Sequence, residues 1–542
     1  MTSRLGKLTL NGWGGGLSSV NNGQDAQLNQ LVRADNVIID KNGHSRIRFG
    51  SEYDGTGFFL SKNVATIDVC RPYQQDSNGR ITKFDFTVMK TYAFGGSRGQ
   101  YLFVDGKYVH SNGKDTMQVW TDLDVTTSDV LGIPPLSRFL YVHNDRCFAG
   151  ENNVLYETGV DTYPDSAVDN FAIGASWTIG DDSSNIIGVC GIKRNLYIFK
   201  ADAVHVQTGY TKNERQNSIF DGSRGCLSPD SIKFVTIRGM GDGIIFLDNN
   251  AKLCFLTNSG ITEIGEAVQD KLDAIHYGAP VYEVTVAPKL HRAHGGVIKG
   301  RENYYLLGYT DGSGVTDDWR HCICVHLDLV HNSIYGIRPV MTFFTKPNPV
   351  PTLDTQKTTD LSFCCFDAGG RGFKETLGTL SFYTGADRVS YVSDFDLDTI
   401  RDKDASYVWR SPQDRIVTAT IDLGVPDLKK TWMKLRLWAS LKTYEPHLGI
   451  MGFMFTQYYD RKVKGTKNDN VRVLIPLANE VSGYKGDVVV NLFDSSGEVS
   501  FEMSIYDSAN TGYNQKNVVF RSMDIEYKVN SKRNASAITI TV

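Results

Sequence analysis

The sequence predicts an all-β protein, a β-propeller followed by a C-terminal β-sandwich-like domain. Three observations predict this class. Apolar and polar residues alternate with a period of two along most of the 542-residue chain, which is the pattern of half-buried strands. The 52 glycines, 26 tyrosines and 27 phenylalanines suit many short strands joined by tight turns. A unit of strand, short turn and strand also recurs, with first strands that start near residues 101, 140, 196, 244, 303 and 380.

Residues 1–50 are predicted to form an N-terminal arm and a hairpin. The arm opens with the glycines Gly14–Gly16. Asn42 and Gly43 then stand between two extended runs, Ala34–Asp40 and Arg46–Gly50. Because glycine tolerates positive φ and asparagine visits the left-handed region at little cost, this pair predicts a hairpin turn. The stretch carries no motif that activates a nucleophile or binds a cofactor, so its predicted role is structural.

Residues 51–400 are predicted to be the propeller. Asp-Gly and Asn-rich turns between alternating runs are the strongest local signal of a hairpin. A single hairpin cannot bury its own apolar face, so such units stack radially as blades. Their spacing of about 40 to 75 residues is typical of blades with insertions. The clearest hairpins are 101–110, 196–206, 244–256 and 380–392, and a looser copy spans 140–156.

Three other features of this region follow from local composition. Residues 264–272 favour one short helix. The glycine-rich Gly239–Gly243 joins two strands instead of opening a helix, so it is predicted to be a hairpin loop and not a phosphate site. Residues 346–360 hold three prolines at alternate positions and are predicted to be an exposed loop.

Residues 401–542 are predicted to form a separate β-sandwich-like domain. Here the strands are longer and the tight hairpin repeat is lost, which favours a sandwich over further blades. The strands are predicted at 414–423, 431–441, 471–477 and 520–529, and the final run 535–542 could close their sheet.

Charge and cysteine content bear on partners and compartment. The 57 Lys and Arg against 61 Asp and Glu give a net charge of −4, so the chain lacks the basic balance of a protein that grips nucleic acid through phosphates. A conduit through which DNA slides would not carry that balance either, so charge leaves these cases open. Nine cysteines without zinc-type Cys-x-x-Cys spacing predict free buried thiols and folding in a reducing compartment. Cys322 and Cys324 are predicted to share one face of a strand.

The sequence contains no predicted targeting or membrane segment. Residues 1–10 lack the apolar core of a signal peptide, and no run of about 18 apolar residues occurs. We therefore expect neither secretion by the general route nor a membrane-spanning segment.

Asp394, Asp396 and Asp398 belong to the densest acidic cluster and are a weak calcium candidate. Their spacing resembles the start of a calcium-binding loop. However, the sixth position is Thr399 instead of glycine and the twelfth is Ala405 instead of glutamate. A solvated loop between two domains is therefore the favoured interpretation, and a calcium-stabilised junction is the alternative.

Two further polar motifs are interpreted as structural. His291 and His294 have His-x-x-His spacing, but no acidic or cysteine partner lies close in sequence, so a metal site is not favoured. The basic run Arg461–Lys467 is interpreted as a solvated loop, with contact to DNA or to an acidic partner as the alternative. No nucleophile elbow, Walker loop or His-Glu-x-x-His motif occurs, so no catalytic residue and no cofactor are predicted.

Four stretches of the chain carry a resemblance to a known family. They are residues 15–50, 187–209, 225–260, and 409–437 taken with 524–527. With the hairpin repeat and the C-terminal domain, they make the chain resemble the tail nozzle proteins of short-tailed bacteriophages, which are also called tail tubular protein B or tail hub proteins. In the first stretch the family motif falls on Gly15, Gly16, Leu17, Asp35, Asn36, Val37, Asp40, Gly43, Arg46, Arg48 and Gly50.

The resemblance implies a structural virion protein without enzymatic activity or cofactor. It would form a ring in the phage tail, expected to be a homo-hexamer, below the portal's adaptor or head-to-tail connector protein. DNA would pass through the central channel during ejection without sequence-specific binding, and tail fibre, spike or needle proteins would attach further out. A closed ring requires that each subunit present two different, complementary faces. Assembly in the host cytoplasm agrees with the free cysteines.

The resemblance also implies a structural role for the motif residues. The glycines would shape the backbone, and Arg46 and Arg48 would pair within the fold or across subunits. Two other classes of function stay open from the sequence. One is a propeller-type glycan-degrading enzyme or tailspike, whose two carboxylates pair in space and leave no fixed spacing in the sequence. The other is a monomeric propeller that binds a protein or a glycan.

Overall fold

Four-stranded antiparallel sheets fill the middle of the chain, as seen in a computed structural model. Nearly all of its regular structure is strand, which confirms the all-β prediction. In the part of the chain that the structure describes, no helix has the length and apolar character needed to cross a membrane. The structure describes residues 5–19, 26–47, 50–52, 61–62, 66–70, 73–76, 79–83, 87–93, 100–104, 106–144, 146–158, 171, 175–211, 213–275, 293–298, 302–309, 321–333, 335–345, 358–363, 378–384, 389–396, 402–403, 409–410, 415–423, 429–443, 451–459, 462–463, 471–474, 484–496, 498–507 and 516–529.

The strands at the start of the chain include the predicted hairpin. The first seven are β1 (Leu5–Leu10), β2 (Gly16–Leu17), β3 (Gln30–Asp35), β4 (Val37–Ile39), β5 (Ser45–Ile47), β6 (Gly50–Glu52) and β7 (Ser61–Lys62). Strands β4 and β5 pair in antiparallel fashion with Ile38 opposite Arg46. The turn between them contains Gly43 at φ +79°, so the hairpin rests on the backbone freedom that glycine provides.

Five successive blades follow, each a sheet of four strands in chain order. Blade 1 contains β8 (Thr66–Cys70), β9 (Tyr73–Asp76), β10 (Arg80–Lys83) and β11 (Val88–Thr91); blade 2 contains β12 (Gln100–Val104), β13 (Lys107–Ser111), β14 (Gln118–Thr121) and β15 (Ser128–Asp129); blade 3 contains β16 (Leu140–His143), β17 (Arg146–Glu151), β18 (Val154–Glu157) and β19 (Ala175–Thr178); blade 4 contains β20 (Ile186–Ile192), β21 (Asn195–Lys200), β22 (Val204–Thr208) and β23 (Gln216–Asp221); blade 5 contains β24 (Lys233–Ile237), β25 (Gly241–Leu247), β26 (Leu253–Thr257) and β27 (Gly260–Glu263).

Two further sheets complete the propeller. Blade 6 contains β28 (Ala293–Ile298), β29 (Tyr304–Tyr309), β30 (His321–Ser333) and β31 (Gly336–Thr345). Blade 7 contains β32 (Thr358–Phe363), β33 (Gly378–Thr384) and β34 (Val389–Asp396). Its fourth strand is β6, from the N-terminal side of blade 1, which pairs with β34 with Ser51 opposite Phe395. Both ends of the propeller segment therefore meet in one blade, which closes the ring of sheets and covers an edge that would otherwise stay open.

The first strands of blades 1 to 6 contact one another in succession. They therefore surround the propeller axis, and the fourth strands lie at the rim. The hairpins predicted at 101–110, 196–206, 244–256 and 380–392 are confirmed as the pairs β12–β13, β21–β22, β25–β26 and β33–β34. The loop predicted at Gly239–Gly243 is confirmed as the β24–β25 turn, extending into β25.

Among the residues that the structure describes, regular helix is confined to short pieces. The helix predicted at 264–272 is a 3₁₀ turn, Glu266–Val268, followed by α1 (Gln269–Asp273). A second 3₁₀ turn, Pro229–Ser231, leads into blade 5. The predicted loop at 346–357 lies outside the described residues, and Thr358–Asp360, the end of that prediction, belongs to β32.

Two packed sheets form the C-terminal domain. A two-stranded pair of β35 (Asp402–Lys403) and β36 (Trp409–Arg410) precedes it; the domain's own strands are β37 (Arg415–Thr418), β38 (Lys430–Thr443), β39 (Met451–Tyr459), β40 (Lys462–Val463), β41 (Val471–Leu474), β42 (Tyr484–Ser496), β43 (Val499–Asp507) and β44 (Lys516–Val529). One sheet has the order β4-β5-β44-β38-β42, with β1 on β44. The other has β3-β37-β43-β39-β40, with β2 on β3 and β41 on β39.

The first 47 residues contribute strands to both of these sheets. Leu8 of β1 lies opposite Ile525, and Ala34 of β3 lies opposite Ile416 of β37. Their side chains join one buried apolar cluster that also includes Trp432 and residues of blades 5 and 6. The core of the sandwich is thus continuous with the core of the adjoining blades.

Candidate functional site

The family-motif residues of the N-terminal stretch meet at the junction between the sandwich and blade 6. At this point β31, the outer strand of blade 6, is joined to β3 of the sandwich by a parallel bridge between Phe343 and Asp35. The sheet of blade 6 therefore continues into the second sheet of the sandwich. We call this region the blade 6 junction; it is built around Gly16, Asn36 and Arg46.

Asn36 links the sandwich to the end of β31 through hydrogen bonds. It lies between β3 and β4 with φ +56°, a left-handed conformation that asparagine adopts more readily than most residues. Its backbone N–H donates to the carbonyl oxygen of Phe343 at 2.7 Å. Its Oδ1 accepts from the N–H of Thr345 at 2.9 Å, and its Nδ2 donates to the Thr345 Oγ1 at 3.2 Å. Both the oxygen and the nitrogen of the Asn36 side-chain amide therefore form hydrogen bonds with Thr345 of blade 6.

Gly16 allows the N-terminal arm to approach the same strand closely. Its φ is +71°, and a Cβ atom there would lie 2.7 Å from Cγ1 of Val340 and 3.1 Å from the backbone nitrogen of Met341. A Cβ on Gly15 would lie 2.6 Å from Cγ of Gln30. The glycines therefore permit both a left-handed backbone and a close approach, and Leu17 follows them into the core.

The hairpin turn is fixed by Asp40 and by the arm. Asp40 Oδ1 accepts hydrogen bonds from the backbone N–H groups of Asn42 at 2.8 Å and His44 at 3.0 Å. The carbonyl oxygen of Gly43 accepts from the N–H of Trp13 at 2.7 Å, and the Trp13 side chain is buried. This geometry orients β5 so that its Arg46 points towards blade 6.

Arg46 makes the second polar link across the junction. Its Nη2 lies 3.1 Å from Oε2 of Glu302, two residues before the start of β29. The hydroxyl of Tyr304 donates to the same carboxylate. Arg46 was predicted to pair either within the fold or across subunits, and its ion pair with Glu302 lies within the fold. The ring of His326 lies 5.0 Å from that of Tyr304. Burial, and then the charge of Arg46, lower the pKa of His326 to about 3.

The other motif residues lie close to this junction or outside the description. Asp35 pairs with Arg33, and Val37 is buried in the shared core. Gly50 lies in β6, in blade 7. Arg48 lies outside the described residues.

The structure describes the weak metal candidates only in part. Asp394 and Asp396 are backbone positions of β34, opposite Glu52 and Gly50, and Asp398 lies outside the described residues. The calcium hypothesis therefore stays a prediction. His294 is buried with its Nδ1 3.5 Å from Oδ2 of Asp230, whereas His291 lies outside the description. Over the side chains that the structure describes, no group of three or more His, Cys, Asp and Glu is placed to hold a metal. Of the basic run 461–467, only the backbone of Lys462–Val463 is described, as β40.

A cleft of about 620 Å³ lies beside the blade 6 junction. Its charged lining is largely arranged in opposite pairs. The Arg33 guanidinium pairs with Asp35, and Lys271 Nζ lies 3.0 Å from Oδ2 of Asp270 and 5.4 Å from the centre of the Phe343 ring. Solvent-accessible ion pairs of this kind contribute little to the stability of the fold.

A buried charge cluster joins blade 3 to blade 4, and no local sequence pattern predicts it. Glu157 Oε1 accepts a hydrogen bond from Arg146 Nη1 at 2.6 Å. Its Oε2 forms an ion pair with Arg215 Nη2 at 2.8 Å, and all three side chains are almost fully buried. The Arg215 guanidinium, from blade 4, lies 5.0 Å from the ring centre of Phe148 and 5.4 Å from that of Trp177, both in blade 3. Burial raises the pKa of Glu157, although the two guanidiniums oppose this shift.

Comparisons with known proteins add little to this geometry. No family model matches the chain, and no curated protein matches it. Similar solved structures include YCF48 bound to a D1 peptide, with 11% identity over 67% of this chain and 98% of that chain and a TM-score of 0.32. They also include the C-terminal WD40 domain of Sif2, with 13% identity, coverage of 68% and 97%, and a TM-score of 0.32. BamB from Moraxella catarrhalis matches with 10% identity, coverage of 73% and 99%, and a TM-score of 0.33. Likeness at this level carries no argument about function, and the propeller assignment rests on the chain's own four-stranded sheets.

Proposed function

We propose that this protein is a structural subunit of the tail nozzle of a short-tailed bacteriophage. Copies of the chain assemble into a ring, a homo-hexamer, below the portal adaptor. The ring conducts DNA during ejection and carries distal tail proteins such as fibres, spikes or a needle. The protein acts without catalysis and without a cofactor, and it is assembled in the host cytoplasm.

One observation carries this proposal. The motif residues in the first of the four stretches that carry the resemblance are scattered over residues 15–50, yet Gly16, Asn36 and Arg46 all lie at one junction. Each of them contacts or closely approaches blade 6. A subunit that transmits load around a channel needs its two domains held in one orientation, and this junction supplies that constraint through a shared sheet, a shared core and two polar links.

The charge pattern of the sandwich also supports passage of DNA without binding. On the sheet that contains β44, Glu526 lies opposite Lys7 of β1 and Lys434 of β38. Two residues away on the same strand, Asp524 lies opposite Arg436, and Lys7 Nζ is 2.9 Å from Oδ2 of Asp524. Acidic side chains between basic ones offset the positive charge that would hold a phosphate backbone.

Electron microscopy of the purified full chain tests the proposal, alone and after mixing with the adaptor protein of the same phage. We expect closed rings with a central channel in at least the mixed sample. Dispersed monomers under both conditions would contradict the proposal and favour a monomeric binding module. Release of reducing sugar from host-surface polysaccharide by the same preparation would instead favour the glycan-degrading alternative.

A further inference from the structure

The buried charge cluster between blades 3 and 4 carries one excess positive charge. The guanidiniums of Arg146 and Arg215 share the single carboxylate of Glu157. Among the described residues, no other acidic side chain pairs with either arginine. An arginine stays protonated in a folded protein, so titration cannot remove this charge. An uncompensated buried charge costs free energy, and a bound counter-ion offsets that cost.

Several donor atoms around this charge lack hydrogen-bond partners among the described residues. Arg146 donates through Nη1 to Glu157, whereas its Nε is buried without a partner and its Nη2 has none. Arg215 donates through Nη1 to Oε1 of Gln207 at 2.8 Å. The Nε of Arg215 and the Nε2 of Gln207 are likewise buried without partners. Most buried donors in folded proteins are satisfied, so unpaired donors beside an excess positive charge indicate a site for an anion.

The unpaired edge of Arg146 has the geometry of a carboxylate site. The Nε and Nη2 atoms lie on the same edge of a guanidinium, and their two parallel N–H groups match the two oxygens of a carboxylate. The ring of Tyr210 lies over this guanidinium, with its centre 5.8 Å from Cζ of Arg146. Tyr210 is 48% exposed. The guanidinium therefore lies directly below a residue that faces solvent, in the turn between β22 and β23.

Three turns surround this site on one face of the propeller. Consecutive strands of a blade are antiparallel, so the turns after its first and third strands share a face. Arg146 follows the β16–β17 turn, Tyr210 lies in the β22–β23 turn, and the β20–β21 turn presents the exposed Lys193 and Arg194. Residues 144–145, 193–194 and 209–214, which form these turns, include three basic and two acidic residues. The approach to the cluster is therefore not repulsive to an anion.

We propose that a carboxylate group binds between blades 3 and 4, with its two oxygens on Nε and Nη2 of Arg146. One carboxylate neutralises the one excess positive charge, whereas a phosphate monoester, with about −1.5 to −2 charges at pH 7, would overcompensate it. The rings of Phe148 and Trp177 pack on Arg215 and keep water from the cluster, which strengthens charged hydrogen bonds. The carboxylate belongs either to a small free acid or to a polypeptide. This inference is independent of the proposed tail function.

Titration of the full chain with acetate tests the proposal. Isothermal titration calorimetry, with sodium acetate replacing sodium chloride at constant ionic strength, measures the affinity. Arg146→Gln removes the bidentate edge and leaves Arg215 and Glu157 as a balanced pair, so acetate affinity should fall at least about tenfold. Glu157→Gln raises the excess to two positive charges, so acetate should bind about tenfold more tightly. A general effect of the salt on the protein would not change in opposite directions in these two variants.

The matched control is Arg238→Gln, because Arg238 is an exposed arginine that follows β24 in blade 5, outside this cluster. It should bind acetate as the wild type does, and circular dichroism should show that the variants are folded. If Glu157→Gln does not fold, the comparison of Arg146→Gln with the control decides the proposal.

A pentaglutamate peptide distinguishes the two sources of the carboxylate. Affinity well above that of acetate, lost in Arg146→Gln, assigns the site to a polypeptide partner, and affinity no higher than that of acetate assigns it to a small acid. No acetate binding by the wild type, or equal binding by Arg146→Gln, would overturn the proposal. Phosphate binding more tightly than acetate would overturn the assignment to a carboxylate. None of these outcomes bears on ring formation, so the nozzle proposal is tested separately.

Discussion

The side-chain oxygen of Asn36 accepts a hydrogen bond from the backbone N–H of Thr345 at 2.9 Å, across 309 residues of sequence. This bond joins the N-terminal arm to the last residue of blade 6. It makes Asn36 the clearest single test of the blade 6 junction.

Replacing Asn36 should destabilise the protein through two separable effects. Asn36→Ala leaves the N–H of Thr345 without its acceptor. It also places alanine at φ +56°, a left-handed conformation that alanine adopts less readily than asparagine does. We expect a loss of about 2 to 4 kcal/mol in urea unfolding. Asn36→Gly keeps the backbone conformation and loses only the side-chain bonds, so it should cost less. An alanine variant as stable as the wild type would show that the bond contributes nothing.

Replacing Gly16 by alanine should destabilise the protein more than the same replacement at Gly106, another glycine with positive φ. Gly106 has φ +79° and open space around the position of a Cβ, whereas Gly16 has φ +71° and Val340 within 2.7 Å. Gly106→Ala should therefore cost only the backbone strain of about 1 to 2 kcal/mol. Gly16→Ala should cost more, because Val340 or β31 must also move. Equal unfolding midpoints for the two variants would contradict the close approach.

The buried charge between blades 3 and 4 should respond strongly to loss of its carboxylate. Glu157→Gln leaves the guanidiniums of Arg146 and Arg215 buried without a counter-charge, and we expect a loss of about 3 to 5 kcal/mol in the free energy of unfolding. Glu263→Gln is the matched control, because its partner Lys252 lies 2.8 Å away but is much more exposed. That variant should lose about 1 kcal/mol or less. Similar losses in the two variants would argue against the burial of the cluster.

His326 should make the fold sensitive to mild acid. Its pKa is about 3 in the folded protein, below the ordinary value near 6.5 that it regains on unfolding. The unfolded chain therefore binds one more proton between these values. The stability associated with this residue is complete above about pH 6.5 and falls as the pH drops towards 3, by roughly 1.4 kcal/mol per pH unit.

The measurement is urea unfolding of the wild type and of His326→Gln between pH 7 and pH 4.5. The free energy of unfolding of the variant should fall less steeply with falling pH than that of the wild type. The difference in slope should approach the contribution of one bound proton, about 1.4 kcal/mol per pH unit. Parallel curves for the two proteins would mean that His326 does not stay neutral in the fold.

Local features of the fold could be predicted from the sequence. Turn chemistry and the period of two placed the hairpins, because both signals are contained in about ten neighbouring residues. The same period placed Cys322 and Cys324 on one face, and both lie in one buried cluster with Tyr304. The short helix was located because its apolar spacing is also local, although a 3₁₀ turn takes up its first half.

The long-range partners could not be predicted in the same way. The sequence around Arg46 contains nothing that specifies Glu302, and that around Arg215 contains nothing that specifies Glu157. Strand β1 pairs with β44, more than 500 residues away, so its partner could not be identified from the sequence of the N-terminal arm. Pairing of this kind depends on the closed topology, and one sequence without its fold leaves it undetermined.

The continuity between the chain's two ends has a consequence for synthesis. Thr9 and its partner Asp524 are separated by 515 residues, and β6 must likewise wait for β34 before blade 7 is complete. At ribosomal rates of about 5 to 20 residues per second, the first strands emerge roughly half a minute to two minutes before their partners. Blades 2 to 5 draw all their strands from neighbouring sequence, so they can fold during that interval. The sandwich can form only once β44 has been synthesised, because β1 and β38 both pair with it. The arrival of β44 is thus the event that completes the subunit around a propeller that has begun to fold.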